Sequence, residues 1–95
     1  MEIDKIIHEP TRLRIMMILA GLEQADFKFL VTALGLTRGN LTSHMDKLET
    51  SGYLKVKRSF KGKVRNTSYQ ITQKGSKALA QYWENLDAVR RLGQS

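Results

Sequence analysis

The spacing of the apolar residues changes at about residue 53 and again at about residue 72, and this limits the available folds. Before residue 53, apolar side chains recur at intervals of three and four, which predicts helices. Between residues 53 and 71, two short runs alternate between apolar and polar residues around a glycine-containing loop, which predicts a β-hairpin. After residue 72 the helical spacing returns. The chain is therefore predicted to be several helices, one hairpin and one last helix.

Glycines divide the first part of the chain into three helices after a short leading turn. Pro10 suits the first position of a helix, where its missing N–H is harmless, and Gly21 ends that helix. A second short helix is predicted from about residue 29 to residue 34, and a third over about residues 38–50. Residues 25–28 before the second helix can be a link or a brief strand.

The connection between the second and third helices is a three-residue turn, Gly35–Thr37. A turn of this length matches a helix-turn-helix unit over about residues 29–51. The hairpin, about residues 53–71, can then pack beside the third helix as a wing, and the last helix covers about residues 73–92. The 95 residues are predicted to form one mainly α domain with a small β-hairpin. The predicted fold is a winged helix-turn-helix with a three-helix core, a two-stranded wing and a C-terminal helix.

The third helix begins with residues that stabilise a helix poorly. In "TRGNLTSHMDKL", residues 37–48, the apolar face is Leu41, Met45 and Leu48, and a glycine within the helix costs about 1 kcal/mol relative to alanine. Short side chains let a helix approach base edges in a major groove, where arginine, asparagine, serine and threonine read bases. An ordinary solvent-facing helix start, rich in capping residues, is the alternative. The opposite face holds Gly39, Ser43, Asp46 and Lys47, flanked by Arg38, Asn40 and Thr42.

The net charge of +7 is concentrated in the hairpin. Residues 53–66 contain six basic residues and no acid, and without them ten basic and nine acidic residues remain. This predicts a polyanionic partner, with nucleic acid first and an anionic membrane surface second. Lysines that protect an edge strand from aggregation are the alternative. The candidate DNA contacts of the wing are Lys57, Arg58, Lys61, Lys63 and Arg65.

Several classes of protein are not expected. The chain has no cysteine, which excludes disulfides, thiol nucleophiles and thiolate metal sites. No nucleophile–base pair or phosphate-binding glycine loop can be assembled, so we expect no enzyme, no cofactor and no metal. His8 is expected at the surface, and His44 beside the core face of its helix. The longest apolar run, Ile15–Ala20, is too short to span a bilayer, so we expect a cytoplasmic, nucleoid-associated protein without a membrane partner.

Three blocks of sequence resemble ArsR-like and MarR-like transcription regulators of bacteria and archaea. "HEPTRLRIMMILA" resembles their opening helix, "LGLTRGNLTSHMDKLETSGYLKV" their helix-turn-helix and first wing strand, and "TSYQITQKGSKAL" the second wing strand and following helix. The resemblance implies a winged-helix regulator that binds double-stranded DNA, usually as a homodimer on a palindromic operator. ArsR-like metal sensors use cysteine or histidine clusters, whereas this chain has no cysteine and only His8 and His44, so no metal site is expected. The residues that match the reading positions of these regulators are Thr37, Arg38, Gly39, Asn40, Thr42 and Ser43.

The last helix is too long for a core of this size to cover. Over about residues 73–92 it measures some 30 Å, and its outer half leaves an apolar strip, which is typical of an interface. The alternative is that the strip packs on the first helix of the same chain, with Leu79 and Tyr82 as candidates. We predict a homodimer whose interface comprises Ile3, Ile6, Ile7, Trp83, Leu86, Val89 and Leu92.

The predicted function is sequence-specific regulation of transcription by a homodimeric repressor. The strongest alternative is a nonspecific architectural winged-helix protein that binds DNA or RNA and needs only the wing. A winged helix used purely for protein–protein contact is a further alternative. Strongly salt-dependent retention on DNA separates the first two from the third.

Overall fold

The computed structural model describes residues 2–94 and has the predicted order of helices and hairpin. The winged-helix fold class is confirmed. One feature is added to it, a short strand before the second helix, which makes the sheet three-stranded. The elements are α1 (Pro10–Ala20), β1 (Ala25–Asp26), α2 (Phe27–Leu34), α3 (Arg38–Thr50), β2 (Leu54–Lys61), β3 (Val64–Ile71) and α4 (Gln73–Leu92).

Each helix begins at a side chain that accepts a hydrogen bond from a backbone N–H of the first turn. Pro10 stands at the start of α1, as predicted, and the carboxylate of Glu9 accepts from Arg12 N at 2.7 Å. Such caps satisfy N–H groups that have no partner within the helix. The caps of the other three helices are Asp26 for α2, Thr37 for α3 and Thr72 for α4.

The second helix starts two residues earlier than predicted. Asp26 caps α2 through Phe29 N at 2.8 Å, so Phe27 already lies in the first turn. Phe29 lies on the outer face of the helix, where it is 49% exposed. The open choice for residues 25–28 is also resolved, because Ala25 pairs with Tyr69 as β1 and the helix follows at once. Gly35 then ends α2 with φ of 64°, in the left-handed region that favours glycine.

The wing is longer than the alternation of apolar residues indicated. β2 and β3 pair without interruption from Leu54 and Ile71 at the base to Lys61 and Val64 at the tip. Only Gly62 and Lys63 form the turn, and Gly62 has φ of 65°, which a two-residue hairpin turn requires of its first residue. Two strands of eight residues extend about 26 Å at 3.3 Å per residue.

The core lies between α1, α3, the base of the sheet and the first half of α4. The predicted apolar face of α3 is confirmed, since Leu41, Met45 and Leu48 are buried. Tyr69 of β3 and Tyr82 of α4 complete the core from the other side. The fully buried side chains of the leading turn and the helices are Ile7, Ile15, Met16, Leu19, Leu30, Leu41 and Leu48.

The leading turn is fixed to the domain by polar contacts. Asp4 Oδ1 accepts from the backbone N–H groups of Ile6 and Ile7, at 2.8 and 3.2 Å. The other carboxylate oxygen of Asp4 accepts from the hydroxyl of Tyr53. Arg12, only 8% exposed, donates through Nε to Ile6 O at 2.6 Å. These bonds hold residues 4–7 against α1 and the start of β2.

The molecule is elongated, with principal extents of 59 × 25 × 21 Å. Of the helices within residues 2–94, none combines the length and apolar character that crossing a membrane requires.

Candidate nucleic-acid interface

The polar face of α3 is open to solvent along its whole length. All the residues predicted to read DNA are exposed, and so is Asp46. Because successive residues of a helix turn by about 100°, these side chains point in three directions. Gly39 and Ser43 form the crest, Arg38, Thr42 and Asp46 face the wing, and Asn40 and Lys47 lie on the other flank.

Gly39 has no structural reason to be glycine. Its backbone is helical and not in the left-handed region, and a Cβ placed on it meets no atom within 4 Å. Alanine at this position therefore fits the fold and favours the helix, by up to the value of about 1 kcal/mol that applies to a helix interior. The missing side chain leaves the backbone at the crest of α3 uncovered.

Two threonines at the start of α3 bond to the helix itself. Thr37 Oγ1 accepts from Asn40 N at 3.1 Å, which caps the helix as predicted. Thr42 Oγ1 donates to Arg38 O at 2.9 Å. Their hydroxyl groups keep acceptor capacity, but the orientation of each is fixed by the helix. Thr37 therefore has a structural task in addition to its predicted place in the interface.

An open groove separates α3 from the wing. It has a volume of about 370 Å³, and most of the residues that line it are polar or charged. Its cations are Lys28, Arg38, Arg58 and Arg65, against the single carboxylate of Asp46. The complete lining is Phe27, Lys28, Arg38, Thr42, Asp46, Arg58, Arg65, Asn66, Thr67 and Tyr69.

The guanidinium of Arg38 lies over the ring of Phe27, with its central carbon 4.9 Å from the ring centroid. A cation over an aromatic face is attracted by the ring quadrupole, with about 0.5–1 kcal/mol at an exposed site. The ring therefore restricts an otherwise mobile side chain to the mouth of the groove. Phe27 takes part in the candidate interface through Arg38.

The wing cations divide between the two faces of the hairpin. Arg58 and Arg65 line the groove and face the same way as the core residues at the base of the wing. Lys57 and Lys61 alternate with Arg58 on β2 and so lie on the opposite face. Lys63 occupies the turn. The structure thus brings two of the five predicted wing residues next to α3, and the other three lie at the tip or on the far face.

The positive charge of the groove and wing is not neutralised within the domain. Among residues 2–94, the ion pairs closer than 4.0 Å are those of Asp87 with Arg90 and Arg91, and Glu9 stands 3.8 Å from His44 Nδ1, a contact that is an ion pair only when the ring is protonated. None of these contacts involves the wing or the side of α3 that lines the groove. This surface therefore presents an unscreened positive potential to an approaching polyanion.

His44 and Arg12 support α3 from behind. His44 is half-buried on the flank that faces α1, as expected, and its Nδ1 accepts from Arg12 Nη1 at 3.1 Å. Glu9 stands 3.8 Å from the same ring nitrogen. Although burial acts to raise the pKa of Glu9, the backbone N–H bond from Arg12 and nearby positive charge hold it below its ordinary value. His8 is exposed, as expected, but a 2.8 Å hydrogen bond joins its Nδ1 to the hydroxyl of Tyr82.

Lys47 lies away from the wing. It shares a shallow depression with Arg12, Thr50 and Ser51 on the flank opposite the groove. A contact from Lys47 would therefore reach a different part of a bound ligand from the contacts of Arg38 and Arg58.

The outer half of α4 exposes an apolar strip. Trp83, Val89 and Leu92 are 43%, 47% and 65% exposed, and Leu86 is half-buried at the edge of the core. Leu79 and Tyr82 are buried in the core, so the first half of the helix is covered by the chain itself. The strip continues beyond the point where the core ends.

The prediction that Ile7 belongs to a dimer interface is wrong. Ile7 is completely buried, because the bonds of Asp4 and Arg12 fix the leading turn with this side chain inward. It therefore has no surface to offer a partner. Ile3 and Ile6 are half-buried and pack against the core, so each keeps a part of its surface.

Sequence reasoning missed Phe27 and Lys28 in the groove because it began α2 at residue 29. The signal that identifies them is Asp26, a strong capping residue immediately before an apolar run. The wing residues that face α3 can be found from the alternation of side chains along β2. Every second residue after the buried Leu54 lies on the same face, and Arg58 is one of them. Within residues 2–94, no three His, Cys, Asp or Glu side chains converge as metal ligands would.

Comparison with known proteins agrees with this geometry. A family model described as a winged helix DNA-binding domain matches residues 11–89. An uncharacterized protein of Methanocaldococcus jannaschii is 42% identical over 79 residues, which are 82% of this chain and 85% of that protein. A transcriptional regulator homologue from Pyrococcus horikoshii OT3 is 32% identical with a TM-score of 0.83, over 90% of this chain and 85% of that one.

More distant structures share the fold. The transcriptional repressor CouR, solved on a 23-mer DNA duplex, has a TM-score of 0.73 and 24% identity over 83% of this chain and 55% of that one. The structural neighbours include MarR-family regulators. These matches confirm the predicted resemblance at the level of the fold.

Proposed function

The chain belongs to the winged helix DNA-binding domain family, and on that premise we propose that it is a sequence-specific regulator of transcription that acts as a homodimer. In this proposal α3 enters the major groove of double-stranded DNA, and the wing contacts phosphates and the adjacent minor groove. Repression follows where the bound site overlaps a promoter. Solved structures that share the fold are described as a transcriptional regulator homologue and a transcriptional repressor, which supports a regulator and not an enzyme.

The observation that carries the proposal is Gly39. It lowers the stability of α3 and no neighbour among the described residues requires it, which supports a benefit that comes from a partner. The position lies at the crest of the exposed polar face, where a base edge or phosphate approaches most closely. The groove beside it carries four cations and one acid, which favours a polyanion.

Contacts of different kinds are expected from different residues. Arg38 and Asn40 have the donor patterns that read guanine and adenine, and Ser43 can contact either a base or a phosphate. The uncapped N–H groups at the start of α3 suit a phosphate. The remaining contacts of the α3 face are assigned to Thr37, Thr42 and Lys47, and the phosphate contacts of the wing to Lys57, Arg58, Lys61, Lys63 and Arg65.

The homodimer is supported by the exposed strip on α4. A partner copy that covers Trp83, Val89 and Leu92 would remove a continuous apolar surface from water. Two-fold symmetry would place two copies of α3 about one turn of DNA apart, roughly 34–36 Å. The operator would then be palindromic.

Selection from a pool of random duplexes, with competitor DNA present, tests specificity and symmetry together. A regulator of this kind enriches a palindromic consensus. Absence of enrichment despite binding contradicts the proposal and favours a nonspecific architectural protein. Enrichment of a single half-site contradicts the symmetric dimer but keeps specific recognition.

Paired variants separate base reading from phosphate contact. Arg38→Ala should weaken binding to the selected duplex by about 1–3 kcal/mol and affect unrelated duplexes less. Lys63→Ala, a matched loss of one charge at the wing turn, should weaken binding to all duplexes and lower the salt slope by about 0.9. Equal behaviour of the two variants on every duplex would contradict the assignment of Arg38 to base reading.

Sedimentation equilibrium of wild type and Val89→Asp tests the dimer. The variant places a charge in the exposed strip and should yield a monomer with the same helical content. A dimer that persists in Val89→Asp and in Leu92→Asp would place the interface elsewhere. A monomeric wild type would contradict the dimer proposal.

A further inference from the structure

The wing carries an apolar side chain that the proposed contacts do not use. Phe60 is 69% exposed, more than any other large apolar side chain among residues 2–94. It lies on β2, one residue before the last residue of that strand, and pairs across the hairpin with Arg65. An aromatic ring left in water at the end of a hairpin has no role in the core.

The face of the hairpin on which Phe60 lies is determined by the strand register. Side chains alternate along a strand, so Phe60 shares a face with Leu54, Val56 and Arg58. Leu54 is buried in the core, and Arg58 and Arg65 line the groove opposite α3. Phe60 therefore extends the wall of that groove outward, about 7 Å beyond Arg58 along the strand.

The positive charges around Phe60 indicate that the partner of this surface is a polyanion. Arg58 precedes it on the same face, Arg65 stands directly opposite, and Lys61 and Lys63 follow in the turn. No acidic residue occurs between residues 50 and 83. A second copy of the wing would bring the same charges together, whereas a duplex offers phosphates to the cations and an apolar sugar and base surface to the ring.

The length of the wing suits this contact. It extends about 26 Å from its base, while the centres of adjacent major and minor grooves lie about 17 Å apart, half of one helical turn. A wing on a duplex that holds α3 in its major groove can therefore reach the neighbouring minor groove with its outer residues. Apolar side chains that enter a minor groove commonly unstack a base step and bend the duplex.

We propose that Phe60 is an apolar wedge that enters the minor groove beside the site read by α3. This inference rests on the proposed function and extends it, because binding then depends on how easily the flanking base steps deform. Flexible pyrimidine–purine steps such as TA would be preferred under the wing over stiff A-tracts. The wing would thus contribute selectivity without hydrogen bonds to bases.

Bending of a mixed-sequence duplex of several helical turns, labelled with fluorophores at both ends, tests the wedge. Energy transfer is measured with the full-length wild type, Phe60→Ala, Phe60→Leu and Val64→Ala at equal saturation. Val64→Ala is the matched control, since Val64 is also exposed at the tip but lies on the opposite face of the hairpin. Both alanine variants keep the charge of the wing.

The expected result is a bend with wild type and Val64→Ala, most of the bend with Phe60→Leu, and its loss with Phe60→Ala. Phe60→Ala should also lower affinity by about tenfold with an unchanged salt slope. Equal bends for Phe60→Ala and Val64→Ala would overturn the wedge, as would a straight duplex with wild type. The wedge would also be overturned if wild type self-associates in the absence of DNA and Phe60→Ala does not. The ring would then belong to a protein–protein contact.

The mixed-sequence duplex separates this inference from the proposed function. If the protein bends this duplex through Phe60 but enriches no consensus, the wedge proposal stands and the proposal of specific recognition fails. If the protein enriches a consensus but bends no duplex, the wedge proposal fails and the proposal of specific recognition stands.

Discussion

The starts of α3 and α4 have similar sequences and different surroundings. Both helices are capped by a threonine, Thr37 in "TRGN" and Thr72 in "TQKG", and each has a glycine in the first turn. Gly75 of α4 is buried, and a Cβ there would stand 2.2 Å from Tyr53 O. Gly39 of α3 is exposed, and a Cβ there would meet nothing within 4 Å.

The threonine caps differ in the same way. Thr72 Oγ1 accepts from Gly75 N at 3.0 Å and also donates to Gly52 O at 2.6 Å, which ties α4 to the base of the wing. Thr37 Oγ1 makes the capping bond to Asn40 N. The start of α4 is therefore determined by contacts within the domain, whereas in the proposed function a partner outside the domain accounts for the composition of α3.

The largest effect on stability is expected at Gly75. In Gly75→Ala the new Cβ would overlap a backbone carbonyl, so α4 or the start of β2 has to move. We expect a loss of about 2–3 kcal/mol in the free energy of unfolding, despite the better helix propensity of alanine. Urea unfolding measures it, and a loss below about 0.5 kcal/mol would show that the two segments separate easily.

The two threonine caps should contribute differently to the free energy of unfolding. Thr37→Ala removes one capping bond and should cost about 1 kcal/mol. Thr72→Ala also leaves the part-buried Gly52 carbonyl without its donor, so we expect about 2 kcal/mol. Urea unfolding of the two variants under one condition provides the comparison. Equal losses would mean that the bond to Gly52 contributes nothing.

The aromatic support of Arg38 should have a smaller effect that concerns only binding. Phe27→Leu keeps an apolar side chain in α2 but removes the ring under the guanidinium. We expect selected duplexes to bind about 0.5–1 kcal/mol more weakly, and this difference to vanish in the Arg38→Ala background. Isothermal titration of the four proteins of this cycle measures the coupling. Additive losses would show that Phe27 acts independently of Arg38.

The smallest effect concerns alkaline stability near the start of α4. Burial raises the pKa of Tyr53 to about 12, and the hydrogen bond to Asp4 and its negative charge act in the same direction. Below about pH 10, the ordinary value for tyrosine, both folded and unfolded chains keep the phenol proton. Between pH 10 and 12 the unfolded chain loses it first, so the free energy of unfolding falls as pH rises.

Tyr53→Phe removes this titration. The free energy of unfolding should therefore fall less steeply between pH 10 and 12 in the variant than in wild type. Urea unfolding at several pH values in this range measures the slope for both proteins. The other side chains are the same in both proteins, so the difference between the two slopes reports on Tyr53. Identical slopes would contradict the raised pKa of Tyr53.

The sequence predicted the helices well because their boundaries depend on local chemistry. Pro10, Thr37 and Gly35 act within their own turns, so their positions could be read directly. The buried face of α3 followed from spacing alone. The start of α2 was misplaced because the prediction began the helix at Phe29, although Asp26 provides the cap two residues earlier than this start implies.

Contacts between distant parts of the chain could not be predicted. The inward position of Ile7 depends on Arg12 and on the bond between Asp4 and Tyr53, which are 49 residues apart. The pairing of β1 with β3 has the same origin, since Ala25 meets Tyr69 only in the folded domain. The face of Arg65 required the strand register, because it follows from the pairing with Phe60, whereas that of Arg58 follows from alternation along β2. The sequence therefore supplied most residues of the candidate interface, but not Phe27 and Lys28.

Gly39→Ala tests the central claim most directly, because stability and binding should change in opposite directions. Urea unfolding should show a gain of about 0.5–1 kcal/mol, since alanine favours the helix and meets no neighbour. Titration with a selected duplex should show binding weakened about tenfold or more, because a methyl group then stands between α3 and the DNA. A variant that gains stability and binds the duplex as tightly as wild type would contradict the claim that a DNA partner accounts for this glycine.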